Sequence, residues 1–192
     1  PSLYERSFLH SFEAEYGPVT EWRILALLPA YLERSGSSLV YMAEQLIARS
    51  GDPLSGTYLY QYDRLASVLK QSEAEGKKTL LLGVTFALLD LAEQHPMALR
   101  HTTIMETGGM KGRRPELVRD ELHAILKRSF GVLAIHSEYG MTELLSQAWS
   151  TGEGMYRCPP WMRVLVRDPN DPFERLGTGR TGGVDVIALA HL

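Results

Sequence analysis

Two short stretches carry residue types whose spacing could do chemistry. The first is Glu106-Thr107-Gly108-Gly109-Met110-Lys111-Gly112-Arg113-Arg114. Paired glycines directly after a strand let backbone approach a flat or anionic ligand closely, and Lys111, Arg113 and Arg114 would add positive charge. The spacing GxxxxGK[ST] is absent, so this is not a phosphate-binding P-loop. The plainer reading is a tight turn whose basic residues face water. The second stretch is His136-Ser137-Glu138-Tyr139-Gly140-Met141-Thr142-Glu143. Thr142 is placed to offer a hydroxyl and a helix N-terminal amide to a phosphate. Glu143 beside it could hold Mg²⁺, a hard cation that takes carboxylate and phosphate oxygens, and Tyr139 could stack on a planar base. Each has a structural alternative: Thr142 as an N-cap, Glu143 as a first-turn dipole partner, Tyr139 as a core aromatic.

The elements that must position these loops alternate. Residues 2–16 have the apolar spacing of an amphipathic helix, with Leu3, Phe8, Leu9 and Phe12 on one stripe, ended by Gly17-Pro18. Ile24 to Leu28 reads as a strand buried on both faces, and Leu39 to Arg49 as a helix broken at Ser50-Gly51-Asp52-Pro53. Thr57 to Tyr60 is a candidate short strand. Tyr62 to Glu75 is a helix closed by Gly76, Thr79 to Val84 a buried strand, Phe86 to Gln94 a helix and Thr102 to Met105 a strand. Pro115 to Phe130 reads as a helix with proline in its first turn and Gly131 after its end. Val132 to Ile135 reads as the fourth strand, with a short helix from Thr142. Beyond Thr151 the pattern changes to short strands at Trp161, Val164 to Val166 and Val184 to Leu189. The expected fold class is α/β: a mostly parallel sheet with helices on both faces, plus a small C-terminal β portion. Residues 1–150 form its central α/β part and 151–192 begin a β-rich portion of the same domain. Such sheets bind ligands where their strands end, which is where both loops lie.

Composition narrows the partners. The chain has 192 residues, 44% of them hydrophobic and 22% charged, enough to bury a core and too apolar for bulk disorder. Its net charge of −3 lacks the basic excess of a nucleic-acid binder. No apolar run approaches the ~20 residues needed to span a bilayer, and residues 1–16 are too charged for a signal peptide, so a cytoplasmic protein is expected. The single cysteine, Cys158, excludes an internal disulfide framework and a four-cysteine zinc site. The six histidines lack HxxxH or HExxH spacing, and Ser37 and Ser38 lack the GxSxG elbow of a hydrolase. Cys158 before Pro159-Pro160 reads as a packing residue in preference to an acyl-accepting thiol, His136 as a polar loop residue near the site, and Trp149, Trp161 and Tyr156 as core in preference to the lining of an acyl tunnel.

Tyr139-Gly140-Met141-Thr142-Glu143 resembles the YGxTE signature of the adenylate-forming superfamily, and Thr107-Gly108-Gly109 resembles that superfamily's adenine-side glycine loop, one helix and one strand upstream. Residues 29–38 (Pro-Ala-Tyr-Leu-Glu-Arg-Ser-Gly-Ser-Ser), Met105 to Arg114, His136 to Leu145 and Cys158-Pro159-Pro160-Trp161 together look like the acyl-protein synthetase family, whose namesake activates fatty acids in bacterial bioluminescence; phenylacetate-CoA ligases are more distant relatives. The resemblance implies ATP-dependent activation of a carboxylate, expected to be a fatty acid, as an acyl-adenylate. Acyl transfer then follows to a thiol or hydroxyl, the acceptor being a protein thiol or coenzyme A. It implies ATP and Mg²⁺ as cofactors, with Thr142 and Glu143 catalytic, Glu143 on the metal, and Gly108, Gly109, Tyr139, Gly140, Met141 and Thr142 on the nucleotide. Tyr31 to Ser38 would wall the acyl pocket.

The chain departs from that pattern. It shows no Ser/Thr/Gly-rich loop for the β- and γ-phosphates, no ribose-binding Asp in a matching place (Asp185 falls too early) and no lid lysine. With Pro1 first and an apolar run last, it reads as a central fragment that retains half a nucleotide site and lacks full activity alone. A severed sheet could also make it a homodimer. The competing reading is a non-catalytic module with a nucleotide-like cleft that serves a reductase partner in a fatty-acid-processing complex.

Overall fold

The computed structural model describes residues 2–29, 36–110, 112–141 and 143–191. Lys111, Thr142 and the Tyr31 to Ser35 part of the expected acyl wall lie outside them. Helix α1 (Ser2–Tyr16) and a short 3₁₀ turn lead into β1 (Arg23–Leu27), whose five residues are all buried. Then follow α2 (Ser38–Ser50), β2 (Gly56–Thr57), α3 (Tyr62–Glu75), β3 (Thr79–Val84), α4 (Thr85–Gln94), β4 (Thr102–Thr107), α5 (Arg119–Phe130), β5 (His136–Tyr139), β6 (Ala148–Ser150) and β7 (Tyr156–Arg157). The sheet order is β2-β1-β3-β4-β5-β6-β7. β1 to β5 pair in parallel, and β6 and β7 turn back antiparallel. A separate antiparallel hairpin, β8 (Met162–Arg167) with β9 (Gly183–Ala188), completes the chain. The expected α/β class with a small C-terminal β portion is what the protein adopts.

Right-handed crossovers place α2 on one face, because β1 to β2 moves one way across the sheet. They place α3, α4 and α5 on the other, because those connections move the opposite way. Contacts agree: α1 packs on α2, while α4 touches both α3 and α5. The strands read as near-continuous apolar runs because both faces are covered. Close packing is visible at Gly83 in β3, where a Cβ would lie 2.6 Å from Leu88 of α4.

Several boundaries differ from the sequence reading. Of the expected 57–60 strand only Thr57 is in the sheet, preceded there by Gly56. Helix α5 starts at Arg119, so Pro115 precedes it by more than a turn. The fourth long-range parallel partner is His136–Tyr139 and not Val132 to Ile135. Within that apolar run only Ile135 is buried, and Leu133 is 97% exposed. No helix follows at 143–147; that stretch turns the chain into β6. Nor does Trp161 begin a strand, since β8 opens at Met162.

Candidate functional site

The site is built by the ends of two adjacent strands. β4 and β5 pair with Met105 opposite His136 and Glu106 opposite Ser137. Glu106 and Thr107 therefore finish one strand beside Glu138 and Tyr139, which finish the other. Gly108 follows Thr107 with a φ of 70°, a backbone state that glycine reaches without steric cost. Its carbonyl accepts a hydrogen bond from the Thr85 hydroxyl at 3.2 Å, tying the loop to the start of α4.

A cavity of about 460 Å³ opens there, within the range that holds small-molecule ligands. Its walls include Gly108 from the glycine loop and Tyr139, Gly140 and Met141 from the second stretch. Ser37 and Ser38, at the start of α2, close one side. Gly109 and Glu143 are not among the lining residues, and Glu143 is exposed. The two glycine-bearing stretches thus converge on one space, with Gly108, Tyr139, Gly140 and Met141 brought together.

The positive charge of the first loop goes elsewhere. The Arg114 guanidinium forks onto Asp90 and Glu93 of α4, and Arg113 lies 5.1 Å over the Phe86 ring. Neither arginine lines the cavity, which accords with the plainer reading of this loop as a turn: Arg113 is exposed, and α4 presents acids that hold Arg114 against its own surface. Among the described residues, the cation lining the cavity is Arg119, the first residue of α5. It donates to the Tyr156 hydroxyl at 3.0 Å and sits 5.2 Å from that ring. Tyr156 in turn meets Tyr139 edge-on, with centroids 6.1 Å apart. Tyr156 is therefore a wall residue and not core, whereas Trp149 is buried against Phe12 and Tyr16 as expected.

Strand pleating splits the cavity into two sides, because neighbours in β5 point to opposite faces. Tyr139 shares the α5 side with Tyr156 and Arg119. Glu138 shares the α1–α2 side with Thr107, whose hydroxyl donates to its Oε2 at 2.6 Å. Burial, with Glu106 nearby adding repulsion, pushes the Glu138 carboxyl up to about 7 against the pull of the Thr107 bond. Gly140 is required beside it: a Cβ there would lie 2.6 Å from Glu138 Oε1. On the same side, Gln147 Nε2 donates to Tyr4 Oη at 3.0 Å, and that hydroxyl donates to the Ser38 carbonyl at 3.0 Å.

Glu106 faces α5, where His123 Nε2 approaches it to 3.7 Å, too far for a hydrogen bond, and has no partner. The sequence reading puts His136 in a loop. Instead it lies in β5 with its ring 5.7 Å from Tyr16 and its Nδ1 3.2 Å from the Tyr16 hydroxyl, and burial holds its pKa below the usual value. Cys158 packs against the Leu144, Ala148 and Met162 cluster, with its thiol pushed up by burial.

Among the described residues no three His, Cys, Asp or Glu side chains gather as a metal cage. Nucleotide-borne Mg²⁺ needs fewer, one or two carboxylates besides the phosphates, and two carboxylates, Glu106 and Glu138, line the cavity. The donor set fits that use. Tyr4, Arg119 and Gln147 have no sequence signal; they reach the cavity from α1, α5 and the turn before β6 through tertiary packing alone, whereas Tyr156 is weighed in the sequence reading as a tunnel-lining residue. Among the described residues, no helix is long and apolar enough to cross a membrane. Compared with known proteins, the chain matches no family model and has no significant match among curated proteins.

Proposed function

We propose that this chain forms a nucleotide-handling site that activates a carboxylic acid with ATP, as the resemblance to acyl-protein synthetases implies. The observation that carries the reading is the convergence of Gly108 with Tyr139, Gly140 and Met141 on one cavity where two parallel strands end. The glycine backbone and the Tyr139–Tyr156 rings offer flat surfaces to a base, and Arg119 offers a cation to phosphate oxygens. Glu106 would hold the nucleotide's Mg²⁺, which supplies charge neutralisation at the phosphates when bound. Glu138 keeps its proton to about pH 7 and is the weaker ligand there. The chain's own work is positioning: it aligns a carboxylate with the α-phosphorus so that acyl-adenylate and pyrophosphate form. Acyl transfer to a thiol or hydroxyl follows from the same resemblance, which also puts Thr142 at the phosphates and Glu143 at Mg²⁺ in the first step.

The test is competition of ATP·Mg²⁺ and of a non-hydrolysable acyl-sulfamoyl adenosine against a fluorescent ATP analogue, followed by carboxylate-dependent pyrophosphate exchange in the protein that carries this segment. Tyr139→Ala should weaken adenylate binding roughly tenfold or more, the scale of a lost base–aromatic stack. Wild-type protein that binds neither nucleotide nor adenylate contradicts the reading.

A further inference from the structure

β3 and β4 end side by side, with Val84 opposite Thr107. One residue later the two segments part: Thr85 opens α4 and Gly108 opens the glycine loop. The Thr85 hydroxyl, on a residue 3% exposed, spans the parting by donating to the Gly108 carbonyl at 3.2 Å. A hydroxyl at a helix start is usually spent on the helix's own free amides. The N-cap here is Val84, which makes no side-chain bond, so α4 goes without a side-chain cap while its first threonine serves the loop.

Gly108 has no side chain with which to fix itself, and its φ of 70° is one that glycine shares among many states. Gly109 is no better held: among the described residues, a Cβ there would meet nothing within 4 Å. The next fixed points are Met110, buried in the core, and Arg114, forked onto Asp90 and Glu93 of the same α4. Glycine loses more freedom on ordering than any other residue. A glycine pair ordered only when a ligand arrives takes that cost out of affinity, whereas one held beforehand does not.

Resting on the proposed ATP-dependent activation, we infer that Thr85 is a positioning residue for the nucleotide's base: its hydroxyl holds Gly108 in the bound conformation before the nucleotide arrives. Thr85 is not part of the cavity wall, and Gly108 is, so the hydroxyl acts through the Gly108 backbone. That backbone faces the base and not the phosphates. Adenosine should therefore depend on the hydroxyl as strongly as ATP does, and inorganic tripolyphosphate should not.

The test measures adenosine, ATP·Mg²⁺ and tripolyphosphate as competitors of a fluorescent ATP analogue. Thr85→Val keeps the side chain's shape and removes the hydroxyl. It should weaken adenosine and ATP·Mg²⁺ alike by about fivefold, the scale of one hydrogen bond, while tripolyphosphate competes as in wild type. Thr85→Ser keeps the hydroxyl and should bind all three as wild type does. Unchanged adenosine affinity in folded Thr85→Val, an equal loss of tripolyphosphate, or Thr85→Ser as weak as Thr85→Val would each overturn this inference and leave the proposed activation standing. In wild-type protein the amide order parameter of Gly108 should be that of rigid backbone, about 0.85, with and without ATP·Mg²⁺; a free value below about 0.6 that rises on binding would overturn it too. That measurement needs no variant, so it decides the matter even if Thr85→Val fails to fold. Wild-type protein that binds neither adenosine nor ATP·Mg²⁺ would overturn the activation reading itself, and this inference with it.

Discussion

Glu138 is the residue on which the site's pH response turns. Its carboxyl, bonded to Thr107 on the side it shares with Tyr4, is pushed up to about 7 by burial and by the repulsion of Glu106 across the sheet, against an ordinary value of 4.5. Between those two values the unfolded chain has lost the proton that the folded chain keeps. Stability from this group is therefore full below about pH 4.5 and is lost as pH rises through 7, by up to about 3 kcal/mol. Wild-type protein should show a falling melting temperature from pH 5 to 8, and Glu138→Gln should flatten that fall; parallel curves would remove the assignment. Gly140 makes a second prediction. Gly140→Ala places a methyl against Glu138 Oε1, so the carboxyl must swing off Thr107. We expect a loss of about 1 kcal/mol, the net worth of one such bond, read by urea denaturation, together with weaker nucleotide binding.

Elements were legible where periodicity was uncontested. Helices α2, α3 and α5 all stop at glycines with a left-handed φ of 63°, which the apolar stripes and Gly51, Gly76 and Gly131 announce. β3 has the unbroken apolar run of a strand covered on both faces. The sequence reading misplaces β5 because Val132 to Ile135 has strand composition while the real strand, His-Ser-Glu-Tyr, is polar. It is polar because it borders the cavity, and local rules are expected to fail at such places. The two loops could be picked out as chemistry-bearing from glycine, charge and position, but not the residues that wall them in from α1, α5 and β7. At the opposite end of the sheet, Arg23 of β1 is clamped by Asp52 at 2.8 Å and by Glu75 of α3 at 2.9 Å, with Ser72 completing its bonds. Burial alone would raise the Asp52 carboxyl, yet Arg23, the Leu54 amide and Lys77 hold it below the ordinary value. Asp52→Ala leaves the buried guanidinium with Glu75 as its one acid and should cost about 2 kcal/mol, the scale of a lost charged hydrogen bond, measured by denaturant unfolding, with nucleotide binding intact in the folded fraction because the clamp is remote from the cavity.

At the scale of the molecule, one core spans both faces of the large sheet, and the β8–β9 hairpin attaches through the smaller Leu144, Ala148 and Met162 cluster. A two-stranded hairpin is marginal by itself, and its Val164, Val184 and Ile187 are exposed. Amides of β8 and β9 should therefore exchange with deuterium well before those of β1, β3 and β4; equal protection would mean the hairpin is part of the same cooperative unit. The central claim is that the glycine loop and the tyrosine stretch form one nucleotide site. Amide chemical-shift mapping during titration with ATP·Mg²⁺ tests it most directly. We predict the largest saturable shifts at Gly108, Tyr139, Gly140 and Tyr156; shifts that cluster away from the ends of β4 and β5, or no saturable shift, would contradict it.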